Sequence, residues 1–163
     1  MALIGVINEG ATVPNDDQSW LVNRKYDGVQ EVTLDLGTFT KDEYFTGAAE
    51  GANTVFVKSG IPLARITGTG EYGPYDAAAT DGRAEFIAGL LESALEATYG
   101  RNGLTGVKQT AGMRYSAVIN VDKLPVAVAA DAVWRGDFHN GPKGEVVVSL
   151  STPAAVDATP VTP

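Results

Sequence analysis

Gly68-Thr-Gly-Glu-Tyr-Gly73 has the glycine spacing of a dinucleotide-binding loop, and Glu92 stands near the distance at which an acidic residue would meet a ribose hydroxyl. That chemistry needs a helix opening among the glycines, with its N-terminus aimed at the pyrophosphate. Pro74 follows the third glycine directly and Asp81-Gly82 breaks the chain again, so no crossover helix fits. The pattern reads as a glycine-rich turn. There is no cysteine, hence no thiolate metal site, and His139, the only histidine, has no second candidate ligand or serine partner at meaningful spacing, so it reads as a loop residue. Asp16-Asp17 and Asp42-Glu43 offer carboxylate pairs. Adjacent side chains in a polar segment point apart and stay hydrated, without the burial that tunes a carboxylate for acid–base work. Arg135-Gly136-Asp137 spells the integrin tripeptide and reads as a strand-end turn. No catalytic residue, cofactor or metal ligand is assigned. What remains is binding. Trp20, a large ring between Ser19 and Leu21 in a polar leader, is either an anchor for a partner or a cap on the domain's own core. Trp134 lies in an apolar run and reads as core.

The elements that would position these residues are mostly strands. Residues 1–28 hold Gly5, Gly10, Pro14 and Asn15-Asp-Asp17 with no sustained apolar period, and are expected to form an extended arm with little structure of its own. Residues 31–36 alternate, with Val32, Leu34 and Leu36 on one face and Thr33 and Asp35 on the other, which predicts a half-buried strand. Residues 54–58 and 63–67 predict two more. Gly100-Arg-Asn-Gly103 signals a tight turn. Residues 114–121 alternate again, placing Tyr115, Ala117, Ile119 and Val121 opposite Arg114, Ser116 and Asn120; a strand is expected to resume over 126–134 after Pro125, and a last one over 145–150. Phe86, Ile87, Leu90, Leu91, Ala94 and Leu95 recur at helical spacing, so pattern alone predicts a helix over 84–98. Residues 152–163 are an Ala/Thr/Pro tail with few large apolar groups, giving three parts: arm 1–28, β-rich domain 29–151 and tail 152–163.

A chain of 163 residues with 20% charged side chains suits one globular core. The net charge of −8 disfavours nonspecific binding to nucleic acid, and no segment approaches the roughly 20 apolar residues of a membrane-spanning helix. The start lacks a basic stretch before its short apolar run, so synthesis in the cytoplasm is expected. Residues 1–52 carry three basic and nine acidic side chains, a leader able to steer itself onto a basic protein surface or simply to stay soluble.

The line Gly60-Ile-Pro-Leu-Ala-Arg65, Gly70-Glu-Tyr-Gly-Pro-Tyr-Asp76, Thr80-Asp-Gly82 and Ala88-Gly-Leu-Leu91 resembles the head (capsid) decoration proteins of tailed bacteriophages, the family of phage lambda's protein D. Asp17-Gln-Ser-Trp-Leu21, Val32-Thr-Leu-Asp35 and Val121-Asp-Lys-Leu-Pro125 are similar to flanking elements of relatives from phages of actinobacteria, so the likeness spans about 17–150. Each piece is short, and their order is more specific than any one of them. The leader is longer than in the lambda protein and carries strand patterns of its own.

The resemblance implies a small β-barrel or β-clip-like domain with little helix, preceded by an extended arm. It implies a strand around 86–92, against the helical spacing, with 93–99 left as a helical turn. It further implies a homotrimer on the outer surface of the virion, bound to the major capsid protein of the expanded head and stabilising it against packaged DNA. Nucleic acid and membrane are not expected partners. An arm of this kind could add a strand to a coat-protein sheet edge, with Ser19, Trp20 and Leu21 as anchor and Val32, Leu34 and Leu36 supplying alternate side chains. The competing reading is a β-scaffold enzyme or binding module acting on a small molecule or polysaccharide, which the scattered carboxylates and single histidine do not favour.

Overall fold

The structure is a computed structural model that describes residues 16–25, 27–46, 53–142 and 144–150. It is mainly β, with several sheets. Among the described residues twelve strands follow in chain order: β1 (Leu21–Asn23), β2 (Val29–Asp35), β3 (Phe45–Thr46), β4 (Thr54–Val57), β5 (Pro62–Arg65), β6 (Tyr72–Pro74), β7 (Gly89–Leu91), β8 (Leu95–Thr98), β9 (Lys108–Arg114), β10 (Ser116–Ile119), β11 (Asp137–Asn140) and β12 (Val148–Ser149). Short 3-10 turns at Leu36–Thr38, Asp42–Tyr44 and Val121–Lys123 supply the helical content of the described residues.

β2, β6, β5, β7 and β9 close into a barrel. β2 and β9 form its longest seam, antiparallel from Val29 opposite Arg114 to Asp35 opposite Lys108. The alternation expected of 31–36 is realised there: Val32, Leu34 and Leu36 are buried together with Leu63, Leu91 and Met113, while Glu31 and Thr33 face outward. β3, β4 and β8 make a small sheet whose Val55, Val57 and Ala97 join the same core. A second core lies under the four-stranded sheet β1-β10-β11-β12 and gathers Trp20, Ile87, Leu90, Ala117, Ile119, Trp134 and Phe138.

β7 is the wall between the two cores. Successive strand residues point to opposite faces, so Leu90 enters the second core and Leu91 the barrel. A strand buried on both faces reads as a continuous apolar run. This is why 84–98 mimics a helix. The segment is two strands in different sheets, β7 and β8, and the helical turn expected at 93–99 is β8, held against β4 from Thr54 opposite Thr98 to Val57 opposite Leu95.

Two other expectations are corrected. The run 114–121 is broken at Tyr115, where the chain leaves the barrel for the second sheet; Ala117 and Ile119 point inward as expected, and Tyr115 does not. Tyr115 is 41% exposed, whereas Arg114 and Ser116 are buried. Residues 126–134 form no strand; Trp134 only bridges Ile87, and Ala132 turns back on Ala129. The last strand is shorter than 145–150, and the turn Gly100-Arg-Asn-Gly103 closes as expected between the two glycines.

Candidate functional site

The leader is the candidate binding segment, so its placement decides what it can do. The expected arm is corrected from Asp16 onward: the described part of 16–28 is stitched into the domain, and residues 1–15 lie outside the described residues. Leu21 pairs with Ile119 and Asn23 with Val118, which makes the leader an edge strand of the second sheet. The Gln18 side-chain amide donates to the Glu92 carbonyl at 3.0 Å, and the Ala94 N–H donates to Asp16 Oδ1 at 3.1 Å. Lys25 Nζ reaches Asp137 Oδ2 at 3.0 Å. Ser19 stays exposed and Leu21 is half-buried.

Trp20 is 1% exposed and lies in the second core. Its Nε1 donates to Ser59 Oγ at 3.2 Å, and that hydroxyl donates to the Asp17 carbonyl at 2.7 Å. The Asn120 N–H donates to the Trp20 carbonyl at 2.8 Å. The indole N–H and the Ser59 hydroxyl are thereby satisfied within the domain, as burial requires. Of the two roles open to Trp20, the single chain realises the core cap. Val32, Leu34 and Leu36 likewise line the barrel interior and present no alternate side chains to a partner. A ring or leucine already withdrawn from water has no further apolar burial to offer an interface.

The other sequence candidates are occupied structurally. Gly68 and Gly70 lie in the turn of the β5–β6 hairpin, with Gly70 N–H returning to the Ile66 carbonyl at 2.8 Å, and Gly73 lies in β6 opposite Ala64. In Arg135-Gly136-Asp137 the guanidinium lies 4.1 Å from the centre of the Phe86 ring, while Asp137 holds Lys25 and faces His139 Nε2 at 3.1 Å. The Lys25 hydrogen bond holds the Asp137 carboxyl below the usual carboxylate range, opposed by burial and aided by His139. Asp42 and Glu43 sit in an exposed 3-10 turn, Glu43 at 3.8 Å from Lys41. Asp17 is lowered by the Ser19 backbone N–H that it accepts at 2.9 Å. Among the described residues no three His, Asp or Glu side chains gather at a metal-binding spacing.

Three features carry no local sequence signal. Arg114, buried at the end of β9, makes a two-pronged ion pair with Glu92, through Nε to Oε2 and through Nη2 to Oε1, the latter at 2.7 Å. Lys108 bridges Asp35 at 2.8 Å and Glu71 at 2.7 Å, tying β9 to the end of β2 and to the hairpin. A cavity of about 210 Å³ opens beside Trp20, between Lys58, Lys123, Thr46 and Pro125. It is smaller than the roughly 300–1,000 Å³ of ordinary small-molecule sites. On the surface, Val146, Val147 and Val148 are 85%, 50% and 59% exposed, an apolar run leading into the edge strand β12. No helix among the described residues is long and apolar enough to cross a membrane. Compared with known proteins, the chain matches no family model, no curated protein and no solved structure.

Proposed function

We propose that this chain is a capsid decoration protein: a homotrimer that binds the major capsid protein on the outer face of the expanded phage head and reinforces the shell against internal DNA pressure. The reading rests on the ordered, glycine-defined line from Gly60 to Leu91. What supports it is where that line falls. It builds β5, β6 and β7, three of the five barrel strands, and Gly60, Gly73 and Gly89 stand where a side chain would collide with Trp20, Thr38 and Met113 respectively. Glycines demanded by close packing belong to the architecture of a scaffold, and a scaffold of small-barrel or β-clip type is what a cementing protein needs.

Docking, on this reading, does not use Trp20. It falls to exposed surface and to residues 1–15, whose Ala2-Leu-Ile-Gly-Val-Ile7 run has the apolar and β-branched character of a segment that adds to a sheet edge. Self-association has a surface of its own in Val146, Val147 and Val148, because apolar residues exposed together beside and at the start of an edge strand favour meeting a second copy. Three linked subunits would then bind the shell with high effective concentration after the first has docked.

The deciding experiment combines light scattering with co-sedimentation on shells of the parent phage. A trimer that pellets with expanded heads and not with unexpanded procapsids is expected. A monomer that pellets with neither overturns the proposal.

A further inference from the structure

The sequence holds two Asn-Gly pairs, Asn102-Gly103 and Asn140-Gly141. In such a pair the asparagine side-chain amide is open to attack by the following backbone nitrogen, because glycine has no Cβ to hinder the approach and its backbone reaches the required angles. The fold treats the two pairs in opposite ways. Asn140 is half-buried at the end of β11, and its Oδ1 accepts from the Val121 N–H at 3.1 Å. The nitrogen that would attack it, Gly141 N, is engaged with the Ile119 carbonyl at 2.9 Å. Asn102 sits at the exposed tip of the turn between β8 and β9, and its side chain has no hydrogen-bond partner among the described residues. Gly103 has φ +71°, with open space where a Cβ would be. Its N–H donates to the Gly100 carbonyl at 3.2 Å, the longer of the two bonds that close the turn, the other being 2.7 Å. Breaking one such bond at a loop tip is a local event that leaves the barrel intact.

We infer that Asn102 is a site of spontaneous deamidation in the folded protein and that Asn140 is protected. Hydroxide removes the Gly103 amide proton, the nitrogen bonds to Asn102 Cγ, and the side-chain nitrogen leaves as ammonia after taking a proton from water. The five-membered succinimide that results is opened by water at either carbonyl. One opening gives aspartate; the other gives isoaspartate, which puts an extra methylene into the main chain. Either product adds a negative charge beside Arg101, in a chain that already carries −8. The step consumes only water and hydroxide. It converts the β8–β9 turn into a chemical clock for the age of the protein.

The test holds the folded full-length chain in mildly alkaline buffer and, in parallel, in concentrated urea, with peptide mapping by mass spectrometry that resolves aspartate from isoaspartate. N102D supplies the aspartate standard. In the folded chain Asn102 is expected to convert about tenfold faster than Asn140, whose amide must first leave its bond to Val121. In urea the two pairs should react at similar rates. No conversion at Asn102 in the folded protein, or equal rates at the two pairs there, overturns the inference.

Discussion

Gly60 lies so close to the Trp20 indole that a Cβ on residue 60 would stand 2.6 Å from both Cδ1 and Nε1. Gly60 also has φ +78°, and its N–H donates to the Leu91 carbonyl at 2.8 Å. The leader's tryptophan is thus seated on the one residue type that leaves room for it, at the mouth of β5. Ser59, next in the chain, accepts the indole N–H. Leader and barrel are joined at this point by packing and by hydrogen bonding together.

This contact makes two stability predictions. Gly60→Ala combines a left-handed backbone with a collision against a rigid ring, and a loss of about 1–3 kcal/mol from the strained backbone alone is expected. Trp20→Ala empties the centre of the second core and should cost about 3–5 kcal/mol. Urea denaturation of each variant measures both. A Trp20→Ala protein with unchanged midpoint would show that the leader contributes nothing to the fold.

Arg114 and Glu92 provide a sharper contrast. Arg114 retains 4% of its side-chain exposure and Glu92 16%, so removing the carboxylate strands a buried guanidinium. Glu92→Ala is expected to cost about 3–5 kcal/mol, whereas replacing both residues with apolar ones of similar size should cost much less. A double-mutant cycle in urea reads the coupling. Additive effects would mean that the pair does not act as a unit.

Much of the barrel was legible because β2 has one wet face and one dry face, and period-two alternation survives in Val32, Leu34 and Leu36. β7 was not, because Leu90 and Leu91 are buried on opposite sides and leave no polar beat to mark the strand. The parity of Arg114, Tyr115 and Ser116 misled for another reason. Alternation predicts relative sides of one strand, and here the chain changes sheets at Tyr115 and buries a charge whose partner, Glu92, lies just past the end of β7. Trp20 stood out as an unusual residue, but which way it turns depends on Gly60 and Ser59, and no spacing rule connects them to it.

Asp137 gives a pH dependence. Its carboxyl is held down first by the Lys25 hydrogen bond, so the folded state binds its proton less readily than the unfolded chain does. The stabilisation is therefore present above the ordinary carboxylate value of about 3.9 and is lost as pH falls through the lower, folded value. Lys25→Ala should move the Asp137 titration upward, towards the ordinary value, as followed by carboxyl NMR. Because Asp137 is 53% exposed, the effect on unfolding should be small and should shrink in high salt. A titration unmoved by Lys25→Ala would assign the depression to another neighbour.

Truncation separates binding from folding. Deleting residues 2–28 removes Trp20 and β1, so the shortened chain should lose stability whatever it binds. Deleting only residues 2–15 spares both. On the decoration reading that shorter deletion should leave a cooperatively unfolding trimer that no longer pellets with expanded shells. Val147→Lys should do the reverse to the oligomer: it puts a charge where apolar surface is exposed beside β12, and is expected to shift the trimer towards monomer with unfolding midpoints little changed. Light scattering reads the oligomer and co-sedimentation reads the shell. If the 2–15 deletion binds expanded heads as the full chain does, docking belongs to the domain surface and the leader serves only the core.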